Sequence, residues 1–412
     1  MQYWADLHLH SHYAMAASKD ARPEQLALWA RWKGLTLIGT GDFTHPGWRA
    51  ELRAKLEEAG DGLWRLKPEV TQGTEPELPY AQPVRFVISG EVCTIYPKAG
   101  KTRKVHHLLL LPHLAAAERL SARLAAYGQL ASNGRPVLKL DSRDLLAITL
   151  EVVPEAILIP AHIWTPHYSV LGMGSGFHHL RECYGDLTGE IHAIETGLSS
   201  DPAMNRRLSS LDDYALVSNS DAHSPAKLGR EATLFAIELS FTALRKALKK
   251  PFPGLLGTIE FYPEEGKYHW DGHRTCGVCW SPRETIRAGG KCPVCGRPVT
   301  VGVLHRVELL ADREKEGQPP SARPAQRLLP LTEIIAAAEG VGEGSKRVQR
   351  IYRQLLTAHG PELRILRETP LTALAETAGE KLADGVRRVR HGLLKVNPGY
   401  DGVYGEVRIY TD

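Results

Sequence analysis

The stretch "ADLHLHSHYA", residues 5–14, places histidines at every second position: His8, His10 and His12. Side chains along a strand alternate between faces, so an HxH pair sends both imidazoles to one side. Asp6 precedes the pair and reads as a support for it rather than a ligand. His12 continues the spacing and reads as a rim residue. The stretch therefore predicts a strand whose far end is a metal edge of two histidines. The fold follows from what else ends in the same way.

Six further β-rich runs follow: "LTLIGTGD" (35–42), "VRFVISGEV" (84–92), "VHHLLLL" (105–111), "AILIPAH" (156–162), "EIHAIET" (190–196) and "ALVSNSD" (215–221). Helical stretches separate them, among them "PEQLALWARWKG" (23–34), with proline at its start and glycine at its close. Another is "LPHLAAAERLSARLAAYG" (111–128). Alternation of this kind predicts an α/β protein, either a parallel barrel or an open sheet. The runs end in, or closely precede, His8, His10, Asp42, Glu91, His162, Glu195 and Asp221. In a barrel those ends share one mouth, which favours the barrel.

A chain of 412 residues exceeds the usual size of one domain. Composition shifts and turn-rich stretches suggest three parts: an α/β barrel over 1–240, a linker and cysteine module over 241–310, and a helical part over 311–412. The first carries 24 Lys and Arg against 27 Asp and Glu, and the remainder 27 against 20. An acidic metal mouth joined to a basic half suits a polyanionic partner. No apolar run approaches the ~20 residues of a membrane span, and the opening residues lack a signal-peptide layout. The expectation is a soluble, cytoplasmic protein.

Candidate ligands in the first part include His8, His10, His45, Glu91, His106, His107, His162, His167, Asp221 and His223. Nitrogen and oxygen donors suit Zn, Mn or Fe. Such a centre hydrolyses a phosphate ester without a serine or cysteine nucleophile, and the sequence shows no arrangement for either. "CGVC" (276–279) and "CPVC" (292–295) are two CxxC knuckles, twelve residues apart. Cys276, Cys279, Cys292 and Cys295 are expected to hold one structural zinc. Cys93 and Cys183 read as isolated, reduced thiols.

Near the C-terminus, "TEIIAAAEGVGEGSKRVQRIYRQLL" (332–356) predicts a helix, a glycine-rich turn and a basic helix. "KLADGVRRVRHG" (381–392) adds cations that include Arg387 and Arg388, both candidates for DNA contact. "NPGYDGVYGE" (397–406) sets two tyrosines among glycines.

"DLHLH", "GD" at 41–42, "SGE" at 89–91, "HHLLLLP", "PAH" at 160–162 and "SDAH" at 220–223 occur in the order of the polymerase-and-histidinol-phosphatase (PHP) metallophosphoesterases. That resemblance implies a distorted seven-stranded (β/α) barrel with two or three divalent metals (Zn, Mn or Mg) at its mouth. The whole chain resembles the endonuclease Q family more closely, through "GTGDFTHP", "PAHIWTPHYS", "ETGLSSDPAMN", "SNSDAHSPAKLGREA", "FYPEEGKYHWDGHR" and "NPGYDGVYGE". By resemblance, His8, His10, Glu91 and Asp221 hold one metal. Glu91 bridges to a second, held by His162 and by a histidine at 106–107, with His107 preferred because it directly precedes the apolar run. Asp42, His45 and His223 would serve a third position, although "DFTH" spaces Asp42 and His45 more widely than the superfamily motif does. Asp221, Glu91 and His162 are the expected catalytic residues, and Phe43, Trp164 and Tyr168 are candidates to stack on a displaced base.

The resemblance implies a metal-dependent DNA repair endonuclease that cuts 5′ to uracil, hypoxanthine, xanthine or an abasic site. It also leaves room for contact with a sliding clamp, although no segment reads as a clamp-binding peptide. Two other readings fit the residues: a phosphoesterase acting on a small phosphorylated metabolite, and a non-catalytic lesion-binding protein.

Overall fold

A computed structural model describes residues 1–71 and 78–410. All seven predicted runs contain strands, at Gln2–Asp6, Leu35–Gly39, Arg85–Lys98, Lys101–Leu111, Ile157–Pro160, Ala193–Glu195 and Ala215–Val217. They do not run uniformly parallel. Gln2–Asp6, Leu35–Gly39 and Arg85–Lys98 pair in parallel, whereas Lys101–Leu111 returns antiparallel beside Arg85–Lys98 and then pairs antiparallel with Ile157–Pro160. The reason is local. Only Ala99 and Gly100 lie between the two long strands, both at positive φ, and so short a turn forces a hairpin. Ala193–Glu195 and Ala215–Val217 form a separate parallel pair. Backbone bonds from Ile163 N–H to Glu195 O (3.1 Å) and from His10 N–H to Ala222 O (2.8 Å) join that pair to its neighbours on either side.

The sheet does not stop at residue 240. Ala232–Ala236 pairs antiparallel with the first strand and with Leu255–Glu260, and Ala325–Arg327 joins Leu255–Glu260 in parallel. The turn-rich sequence near 250 thus lies within the sheet's connections rather than after them.

Period-two alternation divides the apolar residues between two layers. Tyr3, Ala5, Leu7, Val87, Leu108, Leu110, Ile157 and Ile159 fill one cluster. Val105, Leu109 and Leu111 lie in the other, with the helix residues Leu26, Ala30, Leu120 and Leu145. This division decides below which of two adjacent histidines reaches the mouth. The helix Pro23–Lys33 opens on proline and closes on Gly34 at φ 90°, as its sequence predicts. The second predicted helix is shorter than its apolar pattern and spans Leu114–Leu124. His113 Nδ1 caps it by accepting from Ala116 N–H at 2.9 Å.

The remaining parts are fastened to this core. In the cysteine module, strands Asp271–His273 and Val278–Trp280 pair antiparallel. The Arg306 side chain just beyond them is buried and donates to Leu171 O and Phe177 O, both at 2.9 Å. Helices Leu331–Glu339 and Lys346–His359 match the predicted helix, glycine turn and basic helix, with Gly340 at φ 66°. Lys33 Nζ meets Glu362 Oε2 at 2.7 Å, both side chains almost wholly buried, and Tyr352 donates to the same oxygen at 2.7 Å. That pair ties the first helix to the C-terminal helices.

Two stability outcomes follow from buried charge. Lys33→Met leaves Glu362 unpaired and should cost about 3 kcal/mol, with Lys33→Met/Glu362→Gln recovering much of it, as read by urea unfolding. Glu260 is fully buried, and burial, with Asp201 adding to it, pushes its carboxyl up to about 8. The folded state keeps this proton until that pH while the unfolded chain releases it near 4.5, so ionisation lowers stability across that window. Glu260→Gln should therefore stabilise the protein by about 2 kcal/mol at pH 9 and have little effect at pH 5.

Candidate metal centre

The mouth is built on one carboxylate. Glu91 lies mid-strand, its side chain wholly buried. Its Oε2 is 3.3 Å from His10 Nε2 and 3.7 Å from His8 Nε2. Its Oε1 is 2.6 Å from His106 Nδ1 and 3.1 Å from His162 Nε2. Asp221 Oδ1 closes the first side, at 3.1 Å from His10 Nε2 and 3.7 Å from His8 Nε2. Two ligand groups result: His8, His10, Glu91 and Asp221, and Glu91, His106 and His162. The structure thus gathers His8, His10, Glu91, His162 and Asp221 as expected, and of the two adjacent candidates it takes His106 rather than the preferred His107.

The donor atoms are set for cations. Among the described residues, His8 Nε2, His10 Nε2 and Asp221 Oδ1 are buried without a hydrogen-bond partner. Each histidine's other nitrogen faces a carboxylate, which can only accept. His8 Nδ1 donates to Glu195 Oε2 (3.0 Å), and His10 Nδ1 donates to Asp42 Oδ1 (2.9 Å). With the proton fixed on Nδ1, the Nε2 lone pair points inward. At His162, Thr165 Oγ1 gives its own proton to His162 O (3.0 Å) and so accepts from Nδ1 (2.9 Å). The result is the same. Converging lone pairs and carboxylates without protons between them suit divalent metals.

Burial would lower His8, His10 and His162, yet neighbouring carboxylates outweigh it and hold all three above the usual imidazole range, whereas His106 moves the other way. Burial pushes His106 down to about 4, so its ring is neutral and free to ligate. Burial would raise Glu91, yet the neighbouring His106 and His8 outweigh it and hold this carboxyl well below the usual range. Asp42, His162 and Asp221 take left-handed φ values of 48°, 30° and 48°. Such backbone costs a non-glycine residue about 1–3 kcal/mol and collects at functional sites. All three lie within four residues of a strand end, where the chain turns into the mouth.

Several expected residues stand elsewhere. His107 is not at the mouth: it shares a face with Val105 and Leu109, and its ring bonds Thr94 Oγ1 and Tyr184 Oη, both at 3.0 Å. His106, one residue earlier, takes the inward face with Leu108 and Leu110. Asp42 stands behind His10, its second oxygen accepting from Ser11 N–H at 2.7 Å. His45 spends both nitrogens on backbone, accepting from Trp48 N–H and donating to Ala131 O. His223 packs on His10, with ring centres 4.4 Å apart, and Nδ1 donates to Asp221 O. These three enter neither ligand group. His12 bonds Glu51, and Asp6 accepts from Ser220 and Gly229 backbone.

Phe43 and Trp164 are buried, Phe43 against Gly90 and Trp164 through an indole bond to Asn205. They pack the core and are closed to a base. Tyr168 stays half-buried at the mouth, its ring centre 5.0 Å from that of His106. Arg387 and Arg388 both pair with Asp384. In the cysteine module, His273 joins Cys276, Cys292 and Cys295, while Cys279 Sγ turns toward Pro398 O. Three of the four expected cysteines thus gather with a histidine, and Cys279 stands apart from that group. Sequence reasoning marked Glu195 only as a polar strand end, and gave no signal for Arg135, whose Nη1 donates to Glu91 Oε2 at 2.9 Å.

A family model, the MJ0043 C-terminal domain, matches residues 330–393. The uncharacterized protein MJ0043 of Methanocaldococcus jannaschii is 31% identical over 252 residues, which is 59% of this chain and 30% of that protein. The uncharacterized protein YqxK of Bacillus subtilis is 28% identical over 98% of this chain and 99% of its own. The crystal structure of the lesion-specific endonuclease PfuEndoQ from Pyrococcus furiosus has a TM-score of 0.85 at 31% identity, over 99% of this chain and 95% of that one. This chain belongs to the endonuclease Q family. Another endonuclease Q structure, in complex with a 27-mer duplex bearing an abasic lesion at the active site, has a TM-score of 0.84 at 32% identity over 100% and 97% of the two chains.

For this endonuclease Q chain, the ligand assignment has a direct readout. His106→Ala should lower bound divalent metal by about one equivalent by elemental analysis. His107→Gln should leave metal content unchanged and show its effect in the thermal midpoint instead.

Proposed function

We propose that this chain is a metal-dependent DNA repair endonuclease that hydrolyses the phosphodiester 5′ to a deaminated base (uracil, hypoxanthine or xanthine) or an abasic site. The observation that carries this reading is the sharing of Glu91 between two ligand groups, in a chain that aligns end to end with an endonuclease Q solved on abasic duplex DNA. His8, His10, Asp221 and Glu91 would hold one divalent metal, and Glu91, His106 and His162 a second. Zn, Mn or Mg suits such a nitrogen and oxygen set. Bound there, divalent metals favour deprotonation of water and offset the negative charge of the phosphate.

The chain's own groups supply position and charge. Glu195 and Asp42 fix the imidazoles from behind, so the centre is set before substrate arrives. Asp221 is the open edge of the first group, with its side chain 26% exposed, and marks the side from which a phosphate approaches. Tyr168 lies beside His106 as a surface for a displaced nucleotide, which leaves the stack more easily when it is mispaired or has lost its base. In this reading the first 240 residues carry the chemistry. One zinc at His273, Cys276, Cys292 and Cys295 folds the small module. Helix Lys346–His359 exposes Lys346, Arg347, Arg350 and Arg353 toward the DNA backbone.

The test is a labelled duplex with one central deoxyuridine, incubated with metal-loaded protein. A single cut on its 5′ side is expected, absent from undamaged duplex and abolished by a chelator. Asp221→Asn, which removes a charge but tolerates the left-handed backbone, should slow cutting by at least about 10²-fold. Intact DNA alongside rapid turnover of a small phosphate monoester would sink the proposal.

A further inference from the structure

We propose that Arg135 is a catalytic residue: its guanidinium holds a nonbridging oxygen of the scissile phosphate, in the place a third cation would take. This inference rests on the endonuclease reading above and adds a substrate contact to it.

The third position at this mouth would draw on Asp42, His45 and His223. Asp42 gives one oxygen to His10 Nδ1 and the other to Ser11, whose N–H and Oγ–H both donate to it. His45 uses one nitrogen to cap its helix and the other on Ala131 O. Asp42 thus spends most of its acceptor sites, and His45 both nitrogens, on the protein itself. A fixed cation stands at the same mouth instead. Arg135 Nη1 lies 2.9 Å from Glu91 Oε2, the oxygen that also faces His8 and His10.

Arg135 is built in rather than draped across the surface. Pro136 follows it and restricts its backbone to extended forms. Gly134 N–H donates to Tyr13 O (3.0 Å), Thr44 Oγ1 donates to Gly134 O (3.3 Å), and Pro136 O accepts from Cys93 N–H (2.9 Å). A Cβ on Gly134 would come within 2.3 Å of Asp42 Oδ2, so the loop lies hard against the support of His10. Only glycine fits there. Asn133 Oδ1 accepts from Arg135 N–H and from Met15 N–H, joining this loop to the one after the HxH strand.

The guanidinium then has donors to spare. Among the described residues its only side-chain hydrogen bond is the one to Glu91, and 29% of the side chain is open. Nε–H and the remaining Nη protons therefore have no protein acceptor. A planar cation with free donors, held by one carboxylate at a phosphate-cleaving centre, matches the fork geometry of a phosphate. Lysine in its place would present a point charge and lose the bidentate fit. A purely structural role, steadying Glu91, would use the Nη1 bond and leave the rest idle.

The experiment separates these roles with Arg135→Gln, which keeps a donor for Glu91 and removes the charge, and with Arg135→Lys. Both should bind wild-type amounts of metal and melt close to wild type. Arg135→Gln should lower kcat on the deoxyuridine duplex on the order of 10²-fold, and Arg135→Lys less. In chelator, where nothing is cut, Arg135→Gln should weaken lesion-duplex binding by anisotropy and lower the salt slope by about one. Sulfur placed stereospecifically at one nonbridging oxygen should slow the wild type, and that selectivity should vanish in Arg135→Gln. Unchanged kcat and thio selectivity in Arg135→Gln would overturn the inference, as would loss of bound metal. If the wild type itself leaves the lesion duplex intact, the endonuclease reading fails first.

Discussion

Everything at the mouth depends on a carboxylate that water does not reach. Glu91 is buried among His8, His10, His106, His162 and Arg135, with one oxygen turned to each ligand group. An isolated carboxylate in that position would take up a proton. Here the surrounding cationic and imidazole groups hold it ionised, and the long hairpin carries it there. The same strand brings Glu91 to one face and Val92 to the other, so the bridge and the core packing behind it are consecutive residues of one pleat.

A second layer holds the first. Glu195, Asp42 and Thr165 each bind the nitrogen that a metal would not use, and so fix which way three rings point. Asn219 holds Glu195 in turn at 2.8 Å, and Glu195 also accepts from His162 N–H. The ligands are thus aimed by a connected set of hydrogen bonds from strands far apart in sequence. Strained backbone at Asp42, His162 and Asp221 belongs to the same arrangement, because each turn must enter the mouth within a few residues of its strand.

Much of this was legible in the sequence, for reasons that differ by residue. His8, His10, His162 and Asp221 lie just beyond strand ends, and strand ends of an α/β fold meet, so type and position together foretold their convergence; Glu91 joins them from the middle of the long strand Arg85–Lys98. The choice between His106 and His107 turned on register, which neighbouring apolar residues carry: His106 shares parity with Leu108 and Leu110, and that pattern outweighs the resemblance that favoured His107. Asp42 and His45 look like ligands in one dimension because their partners, His10, Ser11 and Ala131, become neighbours only on folding. Phe43 and Trp164 stand beside the motifs in sequence, which makes them candidates to stack on a base, and their full burial assigns them to packing instead. Arg135 lay in a connection without periodicity, where only tertiary contact gives an arginine meaning. The hairpin was masked because a long antiparallel pair and two parallel strands have the same apolar alternation.

The buried Arg306 has a consequence for how such a chain can change. Its guanidinium follows the cysteine module yet satisfies the carbonyls of Leu171 and Phe177, in the loop that continues from His162. Removal of that side chain would strand two carbonyls in that loop. The module and the loop are therefore poor candidates for exchange as separate cassettes. Inheritance would favour keeping them together, and recombination between distant relatives would succeed only where the breakpoint leaves this arginine with its own loop.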